Sequence, residues 1–122
     1  TAEFPNLLMI GIAQAGFGTN FLHFLAESAK HVAWIVAACE REGVATIEAT
    51  PEAEEDWWAV LREQSRLIAG YSAHCTPGYY NNEGQPTGGS GFFGAYAPGP
   101  ARFNQLLEDW RATGDLPGME LA

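Results

Sequence analysis

The chain has 122 residues, 47% of them apolar and 17% charged, with 6 basic against 15 acidic side chains and a net charge of −9. That length corresponds to one domain or part of one, the composition excludes a disordered or fibrous chain, and no apolar run approaches the about 20 residues that span a bilayer. A surface this acidic repels phosphate backbones and argues against a nucleic-acid partner.

Residues 6–13 read as a near-continuous apolar strand bounded by Pro5 and the glycines that follow. Such runs belong to strands covered on both faces, as in parallel sheets. A chain of this size has little with which to cover it, so it reads as a piece of a larger protein. Gln14-Ala-Gly-Phe-Gly-Thr19 is a glycine-bearing turn, and Asn20 is a good N-cap for a helix over residues 21–42. Leu25, Ala29, Val32, Val36 and Cys39 give that helix a stripe at spacings of three and four, and Gly43 sits where a C-terminal glycine belongs.

Residues 44–49 read as a short strand. Thr50 and Pro51 then supply the N-cap and first position of a second helix. Glu52, Glu54, Glu55 and Asp56 fill its first turns, where the helix dipole favours negative charge. No histidine accompanies them, so they read as a solvated helix start. Trp57, Val60, Leu61, Leu67 and Ile68 supply its apolar face, and Gly70 is expected to end it.

Residues 71–98 are rich in glycine, proline and aromatics, with Glu83 as their only charged residue. A long stretch without regular structure is usually functional or mobile. A third helix follows Pro100, with Phe103, Leu106, Leu107 and Trp110 on one face and Gly114 after it. The tail from residue 115 reads as extended.

The chemistry-bearing residues are sparse. Gly16-Phe-Gly18-Thr-Asn-Phe21 has the first two glycines of a dinucleotide fingerprint but phenylalanine where the third belongs. Gly11 to Gly16 is followed by Phe17 rather than the lysine of a phosphate loop. What survives is a helix N-terminus aimed beyond the strand, where open α/β sheets bind ligands. His23 lies one turn into the first helix, on a face that could meet a ligand, whereas His31 reads as structural. His74 neighbours Cys75 without an element to fix their geometry. Cys39 and Cys75 show neither disulfide-framework nor metal spacing, and two reduced thiols suit a cytoplasmic protein. No catalytic side chain and no metal site are expected.

Taken together, Phe4-Pro-Asn-Leu7, Gln14-Ala-Gly-Phe-Gly-Thr-Asn20, Lys30-His-Val-Ala-Trp-Ile35, Ile47-Glu-Ala-Thr-Pro-Glu-Ala-Glu-Glu55 with Trp57, and Cys75-Thr-Pro-Gly-Tyr-Tyr-Asn-Asn-Glu-Gly84 resemble the C-terminal part of the Baeyer–Villiger monooxygenases. These are FAD- and NADPH-dependent flavoproteins of the cyclohexanone and steroid monooxygenase type, which insert an oxygen atom beside a ketone carbonyl. The resemblance implies an α+β fragment, mainly helical, with about three helices, a few short strands and a long Gly-rich loop, completing the FAD-binding α/β domain of a larger enzyme. By that similarity residues 1–43 form the strand, turn and helix of the FAD domain, 44–70 a strand and helix, 71–98 the loop, and 99–122 the last helix and tail.

The resemblance also places Gln14, Thr19 and Asn20 near the flavin, and Phe17 and Phe21 at the ketone pocket. Tyr79, Tyr80, Asn81 and Asn82 match a mobile loop that orders over the nicotinamide cofactor and substrate. FAD and NADPH serve the parent, neither is expected on the chain alone, and the flavin rather than a side chain carries the oxygen chemistry. The two G-x-G-x-x-G fingerprints and the F-x-G-x-x-x-H-x-x-x-W signature of these enzymes are absent, as is the Gly-Pro pair many carry after the strand. The expected partners are the remaining FAD and NADPH domains, with no nucleic acid or membrane. The unpaired first strand invites a homo-oligomer. Two other classes remain open: an interaction module presenting Trp34, Trp57, Trp58 and Trp110, and a small-molecule binding domain built on residues 71–98.

Overall fold

The computed structural model describes residues 1–11, 14–16, 18, 20–72, 74, 76–78, 83–84 and 95–122, with the side chains of 65–72 left aside. It is mainly helical: α1 (Phe21–Glu42), β1 (Ile47–Ala49), α2 (Pro51–Ser72), α3 (Pro100–Thr113) and β2 (Met119–Leu121). α1 begins and ends where its cap residues require. The Asn20 side chain accepts from the His23 N–H at 3.0 Å. Gly43 closes the other end at φ 69°, a left-handed conformation glycine adopts freely, with its N–H on the carbonyls of Cys39 and Glu40. At α2 the Thr50 hydroxyl accepts from the Ala53 N–H at 3.1 Å. Gly70 does not stop α2, which runs on to Ser72; an interior glycine weakens a helix without breaking its hydrogen bonds. α3 has Pro100 at its first turn and Gly114 at φ 81° beyond its last.

β1 and β2 form a two-stranded antiparallel sheet, with Ile47 opposite Leu121, Glu48 opposite Glu120 and Ala49 opposite Met119. The extended tail expected from residue 115 is thus mostly a turn followed by this strand, whose C-terminal carbonyl and N–H also pair with Thr46. The other edge of β1 is taken by one residue. Asn6 donates its backbone N–H to the Ile47 carbonyl at 2.8 Å. Its side-chain oxygen accepts from the Ile47 N–H at 3.0 Å and its amide nitrogen donates to the Ala45 carbonyl at 3.2 Å. Asn6 holds φ at 61° to do this, a conformation asparagine tolerates better than most residues.

Of the strand expected over residues 6–13, the described part, residues 6–11, forms no strand. Residues 7–10 join no ladder, and Leu7, Met9 and Ile10 are 44%, 68% and 45% exposed. The physical reason is the lack of neighbours: β1 and β2 already pair with each other, and Asn6 occupies the outer edge at Ile47.

Two apolar clusters hold the helices together. Ala15, Phe24, Leu61, Tyr96 and Phe103 form one, flanked by Leu25, Trp57 and Leu106. Ile35, Ala38, Cys39, Ile47 and Leu116 form the other, flanked by Trp34, Val44 and Trp110. Between them α1 meets α3 through an edge-on Trp34–Trp110 pair at 5.9 Å and an edge-on His31–Trp110 pair at 5.1 Å. The four tryptophans are all half-buried, packed inward rather than presented as an interaction surface. The apolar stripe read along α1 is only partly the packed one. Phe24, Ile35, Ala38 and Cys39 are buried, whereas Ala29 and Val36 face solvent.

Candidate functional site

The turn before α1 is positioned by three contacts. The Ala15 carbonyl accepts from the Tyr96 N–H at 2.9 Å. Gly16 lies so close to the start of α3 that a β-carbon there would sit 2.5 Å from Phe103 Cβ and 2.9 Å from Pro100 Cα. A β-carbon on Gly18 would come within 2.9 Å of Pro100 Cγ. The two glycines of the G-x-G pattern therefore serve the packing of the turn on α3, and the space a dinucleotide would need beside Gly16 is filled by protein.

Gln14 enters this turn at φ 60°, a left-handed conformation that costs a non-glycine residue roughly 1–2 kcal/mol. It lies on the wall of a cavity of about 510 Å³, whose lining includes Trp57, Phe103, Leu106, Trp110 and Met119. That volume is in the range of small-molecule sites. Two titratable groups line it. The Glu54 carboxylate accepts the Ala2 N–H at 2.6 Å. His31 is half-buried, and Arg111 reaches its Nδ1 at 3.2 Å. Desolvation, with a smaller push from the Arg111 charge, holds the His31 pKa down to about 4. The imidazole is therefore neutral, with Nδ1 as acceptor and the proton on Nε2. The cavity is a mainly apolar space with Gln14, His31 and Glu54 on its wall.

Asn20 and Phe21 do not join Gln14 there. Asn20 is exposed and its side-chain oxygen is committed to capping α1. Phe21 is also exposed and stacks on Phe24 at 6.3 Å. His23 is exposed on the same turn. Thr19, Phe17, Tyr79, Tyr80, Asn81 and Asn82 lie outside the described residues, as does Cys75. Among the described residues no three His, Cys, Asp or Glu side chains come together as a metal site would need, and no helix is long and apolar enough to cross a membrane. The Asn6 clamp and the packing of Gly16 were missed in the sequence. Their only signals were the Phe-Pro-Asn turn and a G-x-G matched by Pro98-Gly-Pro100 downstream.

No protein-family model matches the chain. Its fold matches one portion of solved ketone monooxygenase chains. It superposes over its full length on the polycyclic ketone monooxygenase of Thermothelomyces thermophila, with a TM-score of 0.85 and 29% identity, covering 20% of that chain. It also matches a cyclohexanone monooxygenase of Rhodococcus sp. Phi1 bound to NADP+, with a TM-score of 0.77 and 26% identity over 99% of this chain and 22% of the other. In sequence it is 46% identical to a Baeyer–Villiger monooxygenase of Streptomyces coelicolor, over 88% of this chain and 17% of that protein. Sequence and fold together are those of one portion of the Baeyer–Villiger monooxygenases. The chain spans about a fifth of the length of the relatives it matches.

Proposed function

We propose that this chain is the C-terminal portion of an FAD- and NADPH-dependent Baeyer–Villiger monooxygenase acting on a cyclic or steroid-type ketone in the cytoplasm, and that it is inactive alone. Its apolar segment, turn and α1 complete the FAD-binding domain. Gln14, Thr19 and Asn20 lie toward the flavin, and Phe17 and Phe21 toward the ketone. The Gly-rich loop with Tyr79, Tyr80, Asn81 and Asn82 orders over the nicotinamide. When bound, the flavin supplies the oxygen-transfer chemistry; this chain's residues orient and shield it.

The observation that carries this reading is a match along the whole chain to enzymes about five times longer. The exposed apolar run at residues 7–10 supports it, because such a sequence pattern belongs to strands covered on both faces and here it lies uncovered. Two measurements test the proposal. The full-length polypeptide should oxidise NADPH in the presence of a cyclic ketone and yield the ring-expanded lactone by mass spectrometry. The 122-residue chain should show no saturable fluorescence change on titration with FAD. A full-length protein without flavin, or a chain alone that binds FAD tightly, overturns it.

A further inference from the structure

The cavity of about 510 Å³ beside Gln14 is bounded by α1 through His31 and Val32, by α2 through Trp57, by α3 through Phe103 and Trp110, and by the turn before β2. Its walls are tied to one another. The Trp110 indole N–H donates to the Pro117 carbonyl at 3.0 Å, and the same ring packs edge-on against Trp34 and His31. Trp57 stacks on Tyr96 at 5.8 Å. The Thr50 N–H donates to the Gly118 carbonyl at 2.9 Å, which fastens the start of α2 to that turn. A pocket held open in this way needs little ordering when a molecule enters.

Two polar groups on the wall have hydrogen bonds to give. Arg111 takes the His31 Nδ1, which leaves the Nε2–H as the ring's remaining donor. The Gln14 amide makes no hydrogen bond to another described residue. The Glu54 carboxylate, by contrast, is engaged by the Ala2 N–H at 2.6 Å, and no Lys or Arg side chain lines the space, so an anion finds no counter-charge there. Aromatic and aliphatic walls hold water poorly and suit rings. Phe21, proposed above to lie toward the ketone of the oxygenation reaction, does not line the cavity, so this is not that pocket.

We infer that this cavity binds an uncharged cyclic molecule bearing one carbonyl oxygen, its rings against Trp57, Phe103 and Trp110 and its oxygen accepting from the His31 Nε2–H or the Gln14 amide. The site is separate from oxygen transfer and stands whether or not the proposed function does.

The test uses the full-length polypeptide without NADPH, so that no ketone is consumed. Benzophenone, an uncharged two-ring ketone that crosslinks under near-ultraviolet light, is the probe, and labelled peptides are read by mass spectrometry. Labelling should saturate with probe concentration and fall on peptides that carry Val32, Leu106 or Trp110. Dicyclohexyl ketone should displace the probe. Dicyclohexylmethane, which lacks the oxygen, should displace it about 5-fold less well, the loss expected for one hydrogen bond. Joint replacement Gln14→Leu and His31→Phe should make the two competitors equal. Val32→Phe, which fills the space, should cut labelling about 10-fold without lowering the thermal midpoint; competition in the unsubstituted protein decides even where that variant does not fold. Labelling that misses these peptides, rises without saturating or persists in folded Val32→Phe overturns the inference, as does equal displacement by ketone and hydrocarbon in the unsubstituted protein. A polypeptide that labels as expected but holds no flavin and oxidises no NADPH refutes the oxygenase reading and leaves this site standing.

Discussion

A methyl group at position 16 has nowhere to go. Its carbon would meet Phe103 Cβ at 2.5 Å and the Pro100 backbone at 2.9 Å, and backbone cannot swing aside as a side-chain tip can. Gly16→Ala should therefore destabilise the chain by about 1–3 kcal/mol, read as a lower denaturant midpoint at unchanged slope. Gly11→Ala is the control, since a β-carbon at that position would have no neighbour within 4 Å and its φ is not left-handed; its midpoint should hardly move. His31 gives a second residue-scale expectation. Its folded pKa is about 4 against 6.5 as the unperturbed value, so the unfolded chain takes up the proton first. Stability from the neutral imidazole is fully present above pH 6.5 and is lost progressively as the pH falls toward 4. Protonation also removes the Nδ1 lone pair that accepts from Arg111. A His31→Phe variant should flatten the pH dependence of the thermal midpoint across that interval.

The elements show where local signals suffice and where they do not. α1 and α3 were legible from Asn20, Gly43, Pro100 and Gly114 because caps act through the backbone of the same few residues, whatever surrounds them. The end of α2 was not, since an interior glycine such as Gly70 weakens a helix without breaking its hydrogen bonds. The apolar run at residues 6–13 looked like a strand, yet its described residues 7–11 join no ladder, because a ladder needs a partner that local pattern cannot provide. The packed side of α1 was ambiguous for a related reason: both sides are apolar, and periodicity cannot tell which is covered. β2 is three residues long and carries no signal of its own. At this scale the sheet also holds a conflict. Glu48 and Glu120 are directly opposite, where like charges repel. Glu120→Lys should stabilise the chain by roughly 0.2–1 kcal/mol, and the gain should shrink in high salt, as thermal melts at two ionic strengths would show.

Over the whole molecule, the separation of the candidate site is the main physical result. Gln14 lines an apolar cavity, whereas Asn20 and Phe21 are exposed, so these described members of the site do not converge. With so much apolar surface on α1 and residues 7–10, the 122-residue chain by itself should self-associate. Sedimentation at increasing concentration should show a rising weight-average mass; a constant monomer mass would contradict this.

The route of that association follows from Asn6. By filling the outer edge of β1 at Ala45 and Ile47 with its own amide and backbone, it leaves only the outer edge of the three-residue β2 as a template on which a stranger's backbone could extend the sheet. Clumps of this polypeptide should accordingly be greasy helical aggregates, keeping the circular dichroism of the dissolved form and failing to light up amyloid-sensing dyes. Swapping that single asparagine for alanine would remove the stopper, and only then should fibrous, dye-positive material emerge.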